Sequence, residues 1–558
     1  MHYDFDRFLR HDELTAWLDA LAAANPDLVT LETYGRSYEG RELRLVTVTD
    51  ASTGGHETKP AQWVDASIHA VELTGTVAAC YLLHHLVTGF ASGDAAVCEA
   101  LATRTFYVVP RVNPDGAEWV LSDHPRFRRS SVRKWPWTDG HRWPGLEIED
   151  VDGDGRILDM RIADPHGAWI EDPDEPGLMI QLPPAGAPAG AARFRLLTEG
   201  TIADYDGFTV PTPRASEGLD MNRNFPSGWA TSVTGSGDHP LSEPEVDALV
   251  RALIARSNVC GYNAYHTASG VLLRPSSTQA DAALPPKDLW AYGRLGELGT
   301  ELTGYPVHSV YEDFTWDKAH LVGGAADDWV YDHLGVFGWT TEFWDVLHAA
   351  TGHRLPTNWW YVGADDAHKR DVCRWIRANA PAGYVDWYPF EHPQLGPVEL
   401  GGWNSLISWL NPPPAMLRDE VAPHAAFAVA QALASPRLEI VHAAATPLGG
   451  ETWRVEVGVA NTGWLPTCVS DRARKDDLTL PLAVELAGVD AAAVRGPRRQ
   501  QHGQLEGRLA ARFSDGNDGT PDRALAVWTV AAPAGTTLTA TAMHQRAGTA
   551  TAQLTLGP

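Results

Sequence analysis

Three short stretches of this chain carry residue types that together can hold a metal ion and use it. Ser67-Ile68-His69-Ala70-Val71-Glu72 puts an imidazole and a carboxylate three residues apart, close enough to reach one ion from a turn or a helix start. Tyr262-Asn263-Ala264-Tyr265-His266 ends an apolar run in a second imidazole. Phe337-Gly338-Trp339-Thr340-Thr341-Glu342-Phe343 sets one carboxylate in an aromatic run, where a charge is costly unless it is used or paired. Two His and one Glu leave the fourth position of a tetrahedral zinc open for water, the pattern of catalytic rather than structural zinc. A further carboxylate, Glu342, is then available to take a proton from that water. The set points to hydrolysis.

The spacing of His69 and Glu72 is weak on its own. With 22 His and 71 acidic residues in 558, about three His-x-x-acid pairs arise by chance. Two are present, His69/Glu72 and His368/Asp371, the second in a basic helical stretch. Taken singly, His69 reads as a satisfied core histidine, His266 as a strand-end residue facing solvent, and Glu342 as the partner of a nearby arginine. Context favours a site for the first pair. It follows a buried strand and precedes an apolar helix, and the edges of α/β sheets are where ligands collect.

The elements that must position these residues are legible as alternation. Residues 43–48, 62–67 and 105–109 read as strands, 74–87 as a buried helix, and Asn113-Pro114-Asp115-Gly116 as a turn closing the third strand. Leu14, Leu18 and Leu21 mark one face of an N-terminal amphipathic helix. After a Pro-, Gly-, Trp- and Asp-rich insertion over about 125–218, strands recur near 259–265 and 336–341, and a last helix spans about 415–434. This is an α/β domain with a mixed or mostly parallel sheet. Beyond Ser435-Pro436 the texture changes to period-two alternation at 438–441, 453–459 and 482–486, which predicts a β-sandwich over 435–558 beside a catalytic domain of 1–434.

Composition narrows the class. The 44 Lys+Arg against 71 Asp+Glu leave a net charge of -27, which argues against nucleic acid and anionic membranes as partners. Five cysteines, an odd number without a CxxC spacing, fit neither a disulfide framework nor a cysteine-ligated zinc. The N-terminus lacks a basic region followed by an apolar one, and no 18-residue apolar run occurs, so the expectation is a cytoplasmic protein without a membrane span.

In order along the chain stand Tyr34-Gly35-Arg36-Ser37-Tyr38-Glu39-Gly40-Arg41, His69/Glu72, Asn113-Pro114-Asp115-Gly116 and Asp220-Met221-Asn222-Arg223-Asn224-Phe225. Ser242-Glu243-Pro244-Glu245, His266, Asp328-Trp329-Val330-Tyr331 and Glu342 follow. This series resembles the metallocarboxypeptidases of the carboxypeptidase A/B type, from about residue 34 to 420, excluding most of 130–215 and everything beyond 435. The resemblance implies a mixed eight-stranded sheet flanked by helices. It also implies one zinc held by His69, Glu72 and His266, the ligand set for which carboxypeptidase A is the standard example. Glu342 is similar in place to the family's general base. Arg128, fifteen residues after Asn113, is similar in place to an arginine that polarises the scissile carbonyl, with Arg126 and Arg129 as alternatives. Asn222 and Arg223 match the pair that grips a substrate's free C-terminal carboxylate, for which a bidentate guanidinium is well suited. No pro-segment is recognised before Tyr34, which implies an enzyme active as made.

Departures from the pattern bear on specificity. Val71 stands where the family often has Arg. Twenty-two residues before Glu342, where the family keeps a mobile Tyr, this chain has His320, either a replacement donor or a loop residue, with Tyr311 and Trp316 nearby. Fifteen before Glu342 is Asp327, either the floor of a pocket that favours Lys or Arg, or a helix cap. Within the insertion, Asp150-Val151-Asp152-Gly153-Asp154-Gly155 resembles the first half of a calcium loop. Arg161 at the twelfth position excludes a full EF-hand; Asp159 is a candidate late ligand, and the alternative is a solvated acidic turn. The insertion joins Arg128 to Asn222, so we expect it to rim the site, with Trp135, Trp137, Trp143 and Trp169. The leading reading is a zinc exopeptidase acting on peptides with a free C-terminus. The others are an amide hydrolase of the same fold acting on cell-wall peptides or small amides, and a non-catalytic peptide-binding protein.

Overall fold

The computed structural model describes residues 3–135, 144–186, 188–212, 219–315, 317–319, 321–354, 363–513 and 518–557. Counting strands along the chain, β1 (Val29–Arg36), β2 (Glu42–Val48), β3 (Ala61–Ala66) and β4 (Thr105–Val109) precede the insertion. The insertion itself contributes β5 (Gly145–Ile148), β6 (Asp159–Ala163), β7 (Trp169–Glu171), β8 (Met179–Gln181), β9 (Phe194–Thr198) and β10 (Gly200–Ala203). Then come β11 (Val259–Thr267), β12 (Val271–Arg274), β13 (Val307–Ser309) and β14 (Phe337–Phe343), followed by β15 (Tyr384–His392) and β16 (Gly396–Trp403). The C-terminal part holds β17 (Leu438–Gly449), β18 (Thr452–Asn461), β19 (Ala483–Ala487), β20 (Val494–Arg495), β21 (Arg499–Gln501), β22 (Arg523–Ala531), β23 (Thr537–His544) and β24 (Gly548–Thr555). The helices that matter for the site are α1 (His11–Ala24), α2 (Thr74–Ser92), α3 (Ala95–Thr103), α4 (Pro114–Val120), α5 (Pro244–Ile254), α6 (Pro286–Thr303) and α7 (Ala326–Leu334).

The main sheet is mixed and eight-stranded, in the order β1-β2-β4-β3-β11-β14-β12-β13. Its centre, β4-β3-β11-β14, is parallel, and β1-β2-β4 and β12-β14 are antiparallel. The central strands are apolar on both faces because helices cover both. Val64, Ala66, Phe106 and Val108 face a core shared with α2 and the helix Leu417–Ala434. Trp63, Tyr107, Val109 and Tyr262 face a second core shared with α5 and α7. Helix α2 runs through the first core with Leu82, Leu83 and Leu86 at 0% exposure; each such side chain contributes roughly 1.5–3 kcal/mol of burial.

The insertion differs from its sequence expectation. Weak periodicity suggests a long loop, but β6, β7, β8 and β9 join β15 and β16 in a six-stranded sheet, β15-β16-β6-β9-β7-β8. The strands that the insertion contributes to it are only three to five residues long, too short for alternation to stand out, and β6 pairs with β16, far downstream. Trp169 opens β7 and Trp135 donates to the Asp238 carboxylate at 2.7 Å. Trp137 and Trp143 lie outside the described residues.

From residue 438 on, two four-stranded sheets, β17-β18-β22-β20 and β21-β19-β23-β24, enclose one core. Val455, Val457 and Val459 of β18 and Trp528 of β22 meet Val484 and Leu486 of β19 and Ala540 and Ala542 of β23. Among the described residues no helix is long and apolar enough to cross a membrane.

The Asn113-Pro114-Asp115-Gly116 turn ties the site loops together. Asn113 caps α4 by accepting from Gly116 N at 2.9 Å, and its amide donates to the Ser130 carbonyl at 2.7 Å. A Cβ on Gly116 would sit 2.5 Å from Ala70 Cβ and 3.0 Å from the Ser130 carbonyl. We therefore expect Gly116→Ala to lower stability by about 1–3 kcal/mol, read from a denaturant midpoint, and to lower metal content, because Ala70 lies between His69 and Glu72.

Candidate metal centre

Three parallel strands deliver the site from their C-terminal ends. β3 ends at Ala66, opposite Tyr265 of β11, and the chain turns at once into His69–Glu72. Strand β11 carries His266, whose register partner on β14 is Glu342. Residues far apart in sequence are thus neighbours because adjacent strands end level.

His69, Glu72 and His266 are all buried, and each brings one ligand atom within 4.8 Å of the others. The Glu72 carboxylate lies 2.8 Å from His69 Nδ1 and 2.9 Å from His266 Nδ1, and it accepts from Thr267 N at 3.1 Å. The two Nδ1 atoms are 3.1 Å apart. Burial opposes the charge on Glu72, yet the two imidazoles hold its carboxyl well below the usual carboxylate range. Two ring nitrogens directed at one carboxylate and at each other make a set of donors with lone pairs converging on one point, which fits a zinc ion.

A fourth residue fixes this geometry. Asp220 Oδ1 lies 2.9 Å from His69 Nε2, so the far nitrogen donates and Nδ1 is left as the lone-pair donor toward the ion. The same Oδ1 accepts from Asn222 N at 2.9 Å, and Oδ2 accepts from Arg129 Nε at 3.3 Å. Burial works against ionising Asp220, but His69, Arg223 and Arg129 outweigh it and hold the carboxyl well below its usual range.

The arginine facing the triad is Arg129, not Arg128. Arg129 Nη1 lies 3.3 Å from Glu72 Oε1. The Arg128 guanidinium instead lies over the Trp119 ring, 4.9 Å from its centroid, as Arg126 does at 5.4 Å. The Arg129 carbonyl accepts from Ala70 N at 2.6 Å, which ties this segment to the ligand turn. A second support comes from Asn411. Its Oδ1 accepts from Thr74 N at 3.1 Å, where α2 begins, and its Nδ2 donates to the Val71 carbonyl at 2.8 Å.

Glu342 is half-buried, and its Oε2 has no hydrogen-bond partner among the described residues. Burial pushes its carboxyl up to about 8; Glu72 and Asp327 add to the rise, and His266 and Arg129 oppose it.

Asn222 and Arg223 follow directly on Asp220. Asn222 Oδ1 accepts from Ala326 N at 2.9 Å, at the start of α7. The Arg223 guanidinium donates to the Asn222 carbonyl at 2.7 Å and makes no ion pair among the described residues. Gly324 packs so closely that a Cβ there would lie 2.2 Å from the Arg223 carbonyl. Asp327, in the first turn of α7, is 3% exposed, and its carboxylate accepts from Asp328 N at 3.1 Å. Burial raises its pKa, and no cation pairs with it among the described residues. His320 lies outside the described residues.

The acidic loop brings together three of the four carboxylates that the sequence suggests. Asp150, Asp152 and Asp154 do gather within 4.8 Å. Their oxygens accept from the loop and from a neighbouring strand: Asp150 from Gly153 N and Gly155 N, Asp152 from Asp154 N and the Tyr388 hydroxyl, and Asp154 from Arg156. Asp159 is directed elsewhere. It accepts from Trp403 N at 3.2 Å, and burial pushes its carboxyl up to about 7. Asp159 is not part of the acidic group, and calcium is not supported.

Residues 14–148 and 199–359 match the family described as zinc carboxypeptidase, and residues 437–555 match a domain of unknown function, DUF8731. Carboxypeptidase B of Astacus astacus is 30% identical over 174 residues, 31% of this chain and 48% of that protein. The protein named inactive metallocarboxypeptidase ECM14, of Saccharomyces cerevisiae, is 29% identical over 134 residues, 23% of this chain and 31% of that protein. The chain thus spans less than half the length of these curated relatives. The crystal structure of thrombin activatable fibrinolysis inhibitor aligns over 77% of this chain and 74% of its own, at 17% identity and a TM-score of 0.42.

Because Asp220 fixes the free nitrogen of His69, Asp220→Asn should weaken zinc binding about 10–100-fold, measured by competition with a chromogenic chelator, with little change in the melting temperature of the metal-free protein.

Proposed function

This chain belongs to the zinc carboxypeptidase family, and from that premise we propose that it is a zinc-dependent exopeptidase that hydrolyses the C-terminal peptide bond of its substrates. The observation that carries the proposal is the double use of Asp220: one carboxylate oxygen binds both a metal-ligand histidine and the backbone of Asn222. The metal-holding and carboxylate-gripping residues are therefore held at a fixed distance, and a fixed distance selects the last peptide bond.

His69, Glu72 and His266 would hold the zinc, which when bound supplies a Lewis acid and lowers the pKa of water toward neutrality. Asn222 and Arg223 bind the terminal carboxylate, the guanidinium through paired hydrogen bonds. Glu342, with its unpartnered oxygen, accepts the proton of the attacking water and returns it to the leaving amine. Arg129 stands where negative charge develops on the carbonyl oxygen. Asp327 supplies a buried acid for the substrate's last side chain, which supports a preference for Lys or Arg.

Another relative is named inactive, so membership of the family does not by itself secure catalysis. Retention of Glu342 together with the triad and Arg129 favours an active enzyme over a binding protein.

The test is hydrolysis of blocked dipeptides by the zinc-loaded protein. Glu342→Gln should cut kcat on the order of 10²–10⁴-fold while zinc content stays unchanged. Amidating the substrate's C-terminus should abolish turnover. Equal rates on free and amidated substrates would replace the exopeptidase with an amide hydrolase, and zinc binding without any turnover would leave a binding protein. For Asp327, the wild type should prefer C-terminal Lys or Arg over Leu, and Asp327→Leu should reverse that order; an unchanged order would remove Asp327 from the pocket.

A further inference from the structure

Helix α7 is held at its two ends by different parts of the chain. At its start, Ala326 N donates to Asn222 and Asp327 lies buried. At its end, a helix leaves its last carbonyls without intrahelical partners, and here the C-terminal sheets provide them. Ser470 Oγ donates to the Gly335 carbonyl at 2.6 Å. The Arg546 guanidinium, on a side chain 4% exposed, donates to the carbonyls of Leu334 and Gly335 and to that of Cys468 at 3.0 Å.

A second link runs through Asp288 of α6, which is 2% exposed. Its carboxylate accepts from Asp471 N at 2.7 Å and Arg472 N at 3.0 Å, both in the C-terminal part, and from the Tyr331 hydroxyl of α7 at 2.8 Å. The fit is close enough that a Cβ on Gly335 would lie 2.5 Å from Ala473 Cβ. These hydrogen bonds cross the boundary, so moving the C-terminal sheets would strand the buried Asp288 carboxylate and Arg546 guanidinium.

We propose that the C-terminal β-sandwich is a positioning element for substrate binding: by gripping the end of α7 through Ser470, Arg546 and the Asp288–Tyr331 pair, it fixes the Asp327 and Asn222 end of the same helix. The proposal rests on the reading of Asp327 and Asn222 as substrate-binding residues. Ser470, Arg546, Asp288 and Tyr331 act through α7 and touch neither substrate nor metal. The sandwich therefore tunes the fit of the substrate's last residue and leaves the hydrolytic step alone.

The experiment uses full-length protein with Tyr331→Phe, Arg546→Met and Arg546→Lys. It measures KM and kcat on blocked dipeptides, zinc content, and amide hydrogen exchange across residues 326–335. Tyr331→Phe and Arg546→Met should each raise KM about 3–30-fold with kcat and zinc content near wild type, and should speed exchange in α7 while α2 stays protected. Arg546→Lys, which keeps a donor, should recover most of the loss. Unchanged KM and unchanged α7 exchange would overturn the proposal, as would zinc loss and exchange rising throughout the chain. If Arg546→Met does not fold, Tyr331→Phe, which removes one hydroxyl, decides. If the wild type hydrolyses no dipeptide, the exopeptidase reading fails on its own, and α7 exchange alone decides whether the sandwich holds the helix.

Discussion

The carboxylate of Asp220 is the constraint on which the rest of the site depends. It is shared by His69 Nε2, Asn222 N and Arg129 Nε. One small, ionised group therefore sets the tautomer of a candidate metal-ligand imidazole, the position of the chain that bears Arg223, and the approach of the arginine beside the triad. It stays ionised inside the protein because three positive or potentially positive groups surround it. A buried carboxylate without such partners would take up a proton instead, and the three functions would come apart together.

The fold exists, in this view, to bring that carboxylate to the end of the central sheet. Parallel strands β3, β11 and β14 end level, so the His69–Glu72 turn, His266 and Glu342 converge without long loops. Loops from three other regions brace the turn. Asn113 binds the Ser130 carbonyl, Arg129 accepts from Ala70 N, and Asn411 binds both Thr74 and the Val71 carbonyl. Cohesion of the strands comes from apolar cores on both faces of the sheet, and precision at the site comes from these few buried hydrogen bonds.

Much of this was legible in the sequence, for local reasons. His69 and Glu72 belong to one turn after one strand, and His266 and Glu342 each close an apolar strand, so residue type and immediate context suffice. The order of these motifs supplied the family. What was not legible depends on direction or distance. The choice between Arg128 and Arg129 turns on which of two adjacent guanidinium groups reaches Glu72 and which lies over Trp119, and spacing does not tell them apart. Asp220 lay in plain view within Asp-Met-Asn-Arg-Asn-Phe, but its role needs a contact with a residue 151 positions earlier. Asn411 had no motif at all. The insertion showed no strand pattern because its strands are short and β6 finds its partner in the distant β16, and Asp159 read as a candidate cation ligand because spacing cannot tell that its carboxyl turns toward Trp403.

The measurement that bears most directly on this account is a calorimetric zinc titration of the metal-stripped, full-length protein beside His266→Ala. The account predicts one zinc per chain in the wild type and loss of that site in the variant, since His266 comes from a different strand than His69 and Glu72 and is needed to complete the triad. Equal zinc binding by both proteins, or none by the wild type, would contradict it.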